Sequence, residues 1–435
     1  MHRRLLALSI LVVCPPVFAQ DAASFRSGPE HTGVYESPGL PAFHKIKWQF
    51  HSGGQILSSP VVAADTVYFG SNDHHIHALD LSTGAEKWKF KTDGRVPSTP
   101  AVANGVVFFL SYDANFYAVD AANGALRWKF VTGGERRFSA KHLHGMEPAG
   151  ETMPDPFDFF LSSPAVAGGI VYFGSSDTNV YALDAASGAL KWKFKTGDVV
   201  HSSPALLDGT VFIGSWDTYL YALDAATGKE KWRFKTGEDH ETYNQVGIQG
   251  SPAVAGGVLY FGCRDSNFYA VDANSGKQLW VFNNKGSWVI NSPAVHDGKV
   301  YFATSDTGLF RALDAKSGAL VFTVDFKHWP MFSSPAIAGS MIYLGSHQGR
   351  LLAIDLSTQK TAWSFETEAS KKNGPGFTDG KGEPNYAAAF ADSFYDEIVT
   401  GVQKMFSVGA ILSSPAVSGD TILFGSTDGN LYAIT

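Results

Sequence analysis

A segment that returns eight times constrains this chain more than any other feature. Its fullest copy is L-S-S-P-A-V-A-G-G-I-V-Y-F-G-S-S-D-T-N-V-Y-A-L-D-A-A-S-G-A-L-K-W-K-F-K-T-G, residues 161–197. Each copy opens on Ser-Pro or Thr-Pro, with the proline at Pro60, Pro100, Pro164, Pro204, Pro252, Pro293, Pro335 and Pro415. The tightest spacing is 40 residues, from Pro60 to Pro100 and from Pro164 to Pro204. Self-similarity at that period signals a propeller or a solenoid.

One copy reads as four short strands. S-P-A-V is an innermost strand of small residues, suited to crowding at an axis. V-Y-F-G-S alternates as a strand, a polar S-x-D-x-x turn leads to V-Y-A-L-D, and D-A-A-S-G turns again on a glycine free to take positive φ. The last strand, L-K-W-K-F-K-T, sets Trp and Phe on one face and lysines on the other, which suits an exposed edge that must not pair further. Four strands in 40–45 residues make one propeller blade. Trp88, Trp128, Trp192, Trp232, Trp280 and Trp363 share one repeat position, with Phe322 there in the sixth copy and Trp48 serving the eighth. Such a side chain buries roughly 150–250 Å², and a lone sheet offers nowhere to do so except against its neighbour. These residues are therefore expected to dock blade on blade.

The eighth copy, 412–435, ends after its third strand, and K-I-K-W-Q-F at 45–50 matches the missing outer strand. The chain is therefore expected to be all-β. It should form an eight-bladed β-propeller of four-stranded blades over 45–435, its last blade closed by the N-terminal strand. Composition agrees, with 44% hydrophobic residues and 45 glycines, and a net charge of −7 carries no basic footprint for nucleic acid.

Before the ring, residues 1–19 read as an export signal: basic His2-Arg3-Arg4, an apolar run over 5–13, and cleavage expected after Ala19. That run is too short to span a bilayer. The mature protein is expected in the periplasm or secreted, as a monomer; a lipid anchor on Cys14 is the weaker alternative, because Val13 is bulky for such a site. Cys263 then stands alone, at a position where other copies have Ser71, Ser175 or Ser215. A buried small residue is expected there. Residues 20–44 are expected to strap the bottom face, the one carrying the Asp-Ala-Ala-Ser-Gly turns.

Strand alternation puts the S-x-D-x-x turns and the loops between copies on the opposite, top face. Three of those loops are enlarged, at 133–160, 238–248 and 368–409. Insertions on one rim of a regular scaffold are where function usually resides. The first contains His142 and His144, which could ligate a metal if further groups converged, against the plainer reading of a loop held by salt bridges. The second adds His240, Glu241, Tyr243 and Asn244. In the third, Tyr386, Phe390, Phe394, Ile398 and Val402 recur every fourth residue, predicting a helix near 385–406 that either lids the ring or binds a partner. The first blade places Asp73, His74, His75 and His77 at its top turn, where His77 replaces the Tyr seen at Tyr181 and is expected to pack between blades.

The segment A-L-D-A-A-T-G-K-E-K-W at 222–232 resembles the tryptophan-docking motif of pyrroloquinoline-quinone (PQQ) propeller repeats. It recurs in seven copies across nearly the whole mature chain, departing in the seventh with Gln359 for Gly. The resemblance implies eight blades and one of two functions. One is that of PQQ- and Ca²⁺-dependent dehydrogenases of alcohols or sugars. The other is that of non-catalytic propellers such as the lipoprotein of the outer-membrane β-barrel assembly machinery. An adjacent cysteine pair, a C-x-x-C-H haem motif and a matching set of calcium ligands are all missing, so no catalytic residue carries over. If PQQ binds, Trp216, Trp288 and Trp329 are its expected contacts. The favoured expectation is a scaffold that presents its top face, with Tyr386, Phe390, Phe394 and Ile398, to a cell-envelope protein or peptide.

Overall fold

The computed structural model describes residues 23–390 and 395–435. The export signal expected over 1–19, with Cys14, and Phe394 of the apolar stripe lie outside those residues.

Each repeat folds as one antiparallel sheet. The third blade is typical: Ala165–Ala167, Ile170–Gly174, Asn179–Asp184 and Leu190–Lys195 pair in chain order from axis to rim. The middle strands are buried on both faces, while the outer one buries Trp192 and leaves its lysines exposed. Eight such sheets form the ring. Its last blade is completed as expected by Ile46–His51, antiparallel to Asn430–Ile434, with Trp48 opposite Ala433 and Phe50 opposite Leu431. The seventh blade has a fifth strand, because Val34–Tyr35 runs parallel to Ala336–Ala338 along its inner edge.

Two features hold blade to blade. The first is the indole. Trp88 donates its Nε1–H to Ala121 O in the next blade at 3.0 Å, and Trp192 does the same to Ala225 O at 2.9 Å. Each ring lies on the turn glycine of that next blade: a Cβ on Gly124 would sit 2.7 Å from the Trp88 ring, and one on Gly228 2.6 Å from Trp192. That glycine also has φ near +72°, so it answers to two demands at once. Where Phe322 replaces Trp, the next blade has Gln359 in place of glycine, at φ +58°. Trp363 finds no such turn in the eighth blade, where the chain ends, and donates to Leu40 O of the N-terminal segment at 3.0 Å.

The second is a closed circle of hydrogen bonds at the axis. The N–H of Ser59 donates to Thr99 Oγ1, Thr99 to Ser163, Ser163 to Ser203, Ser203 to Ser251, Ser251 to Ser292, Ser292 to Ser334, Ser334 to Ser414, and Ser414 back to Ser59, all at 2.8–3.1 Å. The hydroxyl before each proline is a bonding group, not merely a small one.

Residues 23–40 cross the lower end of the innermost strands. Backbone N–H groups of Leu206, Val254, Val295 and Ile337 donate to Pro29, Glu30, Thr32 and Gly33. Arg26 enters the axis and donates to the carbonyls of Pro293 (2.6 Å) and Pro335, oxygens that the inner strands leave free. Burial lowers its pKa to about 10.

Candidate functional site

The three insertions meet over the top of the axis. Eight side chains rise there from one repeat position, the middle residue of the S-x-D turn: Asn72, Tyr112, Ser176, Trp216, Arg264, Ser305, His347 and Thr427. The residues on either side of that position are nearly constant between copies. The position itself varies, and that contrast is the signal by which the site can be found.

Arg264 is its centre, with no exposed surface. Its guanidinium lies between the indoles of Trp216 and Trp288, 4.4 and 4.3 Å from their ring centres. Phe138 extends the stack, 4.4 Å from Trp216 and almost parallel to it. Nη1 donates to Asp155 Oδ2 at 2.6 Å, while Nε and Nη2 donate to Gln249 Oε1 at 3.0 and 2.8 Å. Burial alone would raise the Asp155 carboxyl, but Arg264 and His144 hold it well below the usual carboxylate range. A buried ion pair fastened by further hydrogen bonds and flanked by two aromatic faces is a rigid joint.

A second buried network pins the same insertion. Asp158 Oδ1 contacts His201 Nδ1 at 2.8 Å, His201 Nε2 contacts Ser176 Oγ at 2.8 Å, and Ser176 Oγ meets Glu135 Oε2 at 2.7 Å. The Asp–His–Ser order imitates a hydrolase triad. However, Ser176 has no exposed surface and is gripped by Glu135, so no substrate carbonyl can reach it. Burial would push His201 down, but Asp158 and Glu135 keep its pKa raised, while burial raises Glu135. These buried contacts fix the first insertion against the ring.

His144 bonds Asn244 Oδ1 at 3.0 Å and approaches Asp155 at 3.3 Å, joining the first insertion to the second. Neither it nor His142 belongs to a convergent set of metal donors among the described residues; the set that exists is Asp73, His75 and His77. Trp329 is buried apart from the indole stack and donates to Gly382 O at 3.0 Å, fastening the third insertion.

That insertion holds α1 (Glu368–Asn373), α2 (Tyr386–Ala389) and α3 (Tyr395–Phe406). The single helix expected from 385 is interrupted at Phe390, whose backbone is extended. The reason is packing: Phe390 folds back on Gly401, where a Cβ would lie 2.4 Å from its ring. Val402 and Phe406 are buried with Leu57, Phe159, Ile290, Phe332 and Leu412, with Phe390 packed against the same group, while Ile398 packs on the cluster around Trp216. The stripe thus faces its own ring. Among the described members, Tyr386 is the most exposed, at 38%, and it also lines the cavity beneath the helices.

Beneath α2 and α3 lies a cavity of about 320 Å³, walled by Trp288, Phe332, Phe406, Val402, Asp306 and His347 among others. His347 Nε2 is buried without a hydrogen-bond partner, and burial lowers the imidazole pKa to about 3, so it stays neutral. Cys263 is buried and donates to Gly247 O at 3.3 Å; burial raises the thiol pKa, leaving it inert.

The fold and its docking pattern define an eight-bladed propeller of PQQ-type repeats. The family model described as outer membrane protein assembly factor BamB matches residues 44–152, 141–281 and 264–435, and the chain belongs to that family. Among solved structures, BamB from Moraxella catarrhalis superposes with a TM-score of 0.64 at 16% identity, covering 90% of this chain and 97% of that one. A europium-containing methanol dehydrogenase gives 0.69 at 16% identity, covering 95% and 98%. The quinohemoprotein alcohol dehydrogenase of Comamonas testosteroni gives 0.68 at 14%, covering 95% and 80%. A curated relative, the dehydrogenase subunit of a quinone alcohol dehydrogenase from Komagataeibacter europaeus, is 34% identical over 101 residues, spanning 20% of this chain and 14% of that protein.

The residues present do not fit PQQ with calcium. PQQ is a flat tricarboxylate, and the flat slot between Trp216 and Trp288 is filled by Arg264, whose three nitrogens already donate to Asp155 and Gln249. Among the described residues, the cavity beside it has no lysine or arginine in its lining and a single carboxylate, Asp306. Calcium takes six to eight oxygen ligands.

Proposed function

We propose that this chain is a non-catalytic, exported propeller that acts as a protein-binding scaffold in the cell envelope. Its top face, built by the 133–160, 238–248 and 368–409 insertions, holds a protein or peptide segment. The observation that carries this reading is Arg264 clamped between Trp216 and Trp288: the chain's own cation takes the place where a planar cofactor would stack. The aromatic cavity beside α3 and exposed Tyr386 offer apolar anchorage at the same rim. Family membership supports the same reading. No helix among the described residues is long and apolar enough to cross a membrane.

The second reading, a PQQ-dependent periplasmic dehydrogenase of alcohols or sugars, is favoured by the 34% identical segment and by the superposition on methanol dehydrogenase. Titration with PQQ and Ca²⁺, followed by tryptophan fluorescence and dye reduction, separates the two. The scaffold reading expects neither quenching nor turnover. A photo-crosslinker at Tyr386 is expected to trap an envelope protein, whereas one at Lys316, on the opposite rim, is not. Saturable PQQ binding with turnover, or equal trapping from both positions, would overturn it.

A further inference from the structure

The top turns of the other blades act as internal controls for the first. In blades 2, 3, 5 and 8 the turn carries Asp, Asn and Tyr two residues apart: Asp113, Asn115, Tyr117; Asp177, Asn179, Tyr181; Asp265, Asn267, Tyr269; Asp428, Asn430, Tyr432. There the arrangement is closed. The tyrosine Oη–H donates to the Asp Oδ2, as Tyr117 does to Asp113 at 2.8 Å, and Asn115 Nδ2–H donates to Asp113 O at 3.0 Å. In blades 2, 3 and 5 the same Oδ2 accepts a second hydrogen bond from the preceding blade, from the backbone N–H of Asp93, Gly133 and Gly237 respectively, whereas among the described residues Asp428 accepts no such bond.

In blade 1 both partner positions are histidine on the same backbone frame. His77 Nε2 stands 3.0 Å from Asp73 Oδ2, and His75 Nδ1 stands 3.5 Å from Oδ1 and 2.9 Å from the Asp73 carbonyl. Among the described residues, no N–H from the preceding blade bonds Asp73. Three donor atoms, one from each residue, lie within 4.8 Å of one another. His77 is buried, and its other nitrogen, Nδ1, faces Glu86 Oε2 at 3.3 Å. Each ring nitrogen of His77 thus faces a carboxylate oxygen. A cation on Nε2 places positive charge beside Asp73 and leaves Nδ1–H to donate to Glu86. Carboxylate-oriented histidines of this kind are the usual support of a bound metal.

We propose that Asp73, His75 and His77 form a site for a divalent transition-metal ion, zinc in particular, with Glu86 positioning His77. Two imidazoles and one carboxylate suit a borderline ion over calcium or magnesium, and a water completes its tetrahedron. The site lies at the seam of the ring, since His77 also packs edge-on against Phe50 of the closing strand with ring centres 5.5 Å apart. The ion therefore braces the first blade, next to the blade that joins the two ends of the chain.

The test is a Zn²⁺ titration of the full chain by calorimetry, with metal content after dialysis. Wild type is expected to hold one equivalent and to melt at higher temperature with zinc. The H75N/H77Y variant restores the residues of blade 2, so it should fold and lose that equivalent. E86Q should keep the stoichiometry and bind roughly 10–100-fold more weakly. If the double variant misfolds, H75N alone, changing a side chain 21% exposed, is read instead, by loss of the visible bands of bound Co²⁺. A wild type that takes up no zinc, or a variant that binds as tightly, overturns the proposal.

Discussion

Arg264 has no route to water, so its removal has a defined consequence. Arg264→Ala strands the Asp155 carboxylate and opens a gap between two indoles, and loss of one partner of a buried pair costs roughly 3–5 kcal/mol. Chemical denaturation should register that loss, and Arg264→Met with Asp155→Asn should recover much of it. Two histidines give a pH signature. His31 and His347 both have pKa values lowered to about 3, in each case first by burial and for His31 also by Arg26. Between the unfolded value near 6.5 and the folded value, the unfolded chain binds protons that the native one refuses. Stability is therefore complete above about pH 6.5 and falls with acidification, by about 1.4 kcal/mol per pH unit for each histidine. Denaturation midpoints from pH 7 to pH 4 should show this, and His347→Phe should reduce the slope by half.

At the scale of elements, the pairing of indole and glycine makes a coupled prediction. Phe322→Trp alone drives an indole toward the Cβ of Gln359, since the equivalent contacts at Gly228 and Gly318 measure 2.6 Å. The single variant should destabilise, and Gln359→Gly should reverse the effect, with a coupling of roughly 0.5–3 kcal/mol in a double-mutant cycle. The third insertion is also structural. Deleting 370–408 uncovers Leu57, Phe159, Ile290, Phe332 and Leu412, which Val402 and Phe406 cover. Light scattering should report association of the shortened chain. The stripe at 386–402 was legible as apolar and helical, but spacing alone could not say that Phe390 breaks the helix to pack on Gly401.

For the whole molecule, closure is the decisive event. Removing 23–51 takes away the strand Ile46–His51, the axial Arg26 and the carbonyl that receives Trp363. Asn430–Ile434 then keeps its pairing to Thr421–Gly425 on one side and is left an unpaired edge on the other. Such an edge pairs with its like, so the truncated chain should elute as larger species than the full chain.

Period, strand count, the borrowed outer strand and the docking tryptophans were all legible in the linear sequence. They rest on local alternation and on turns that repeat every 40 residues or so. The candidate site was only half legible. Its insertions stood out as breaks in the period, but Arg264, Ser176 and His347 looked like ordinary turn residues. What brings them together is the ring: residues one repeat apart become neighbours at the axis only after eight sheets have closed. Trp216 and Trp288 looked free to stack on a cofactor, and the tertiary structure filled the space between them with a guanidinium. Loops without periodicity have no pattern to declare their contacts, and packing alone settled them.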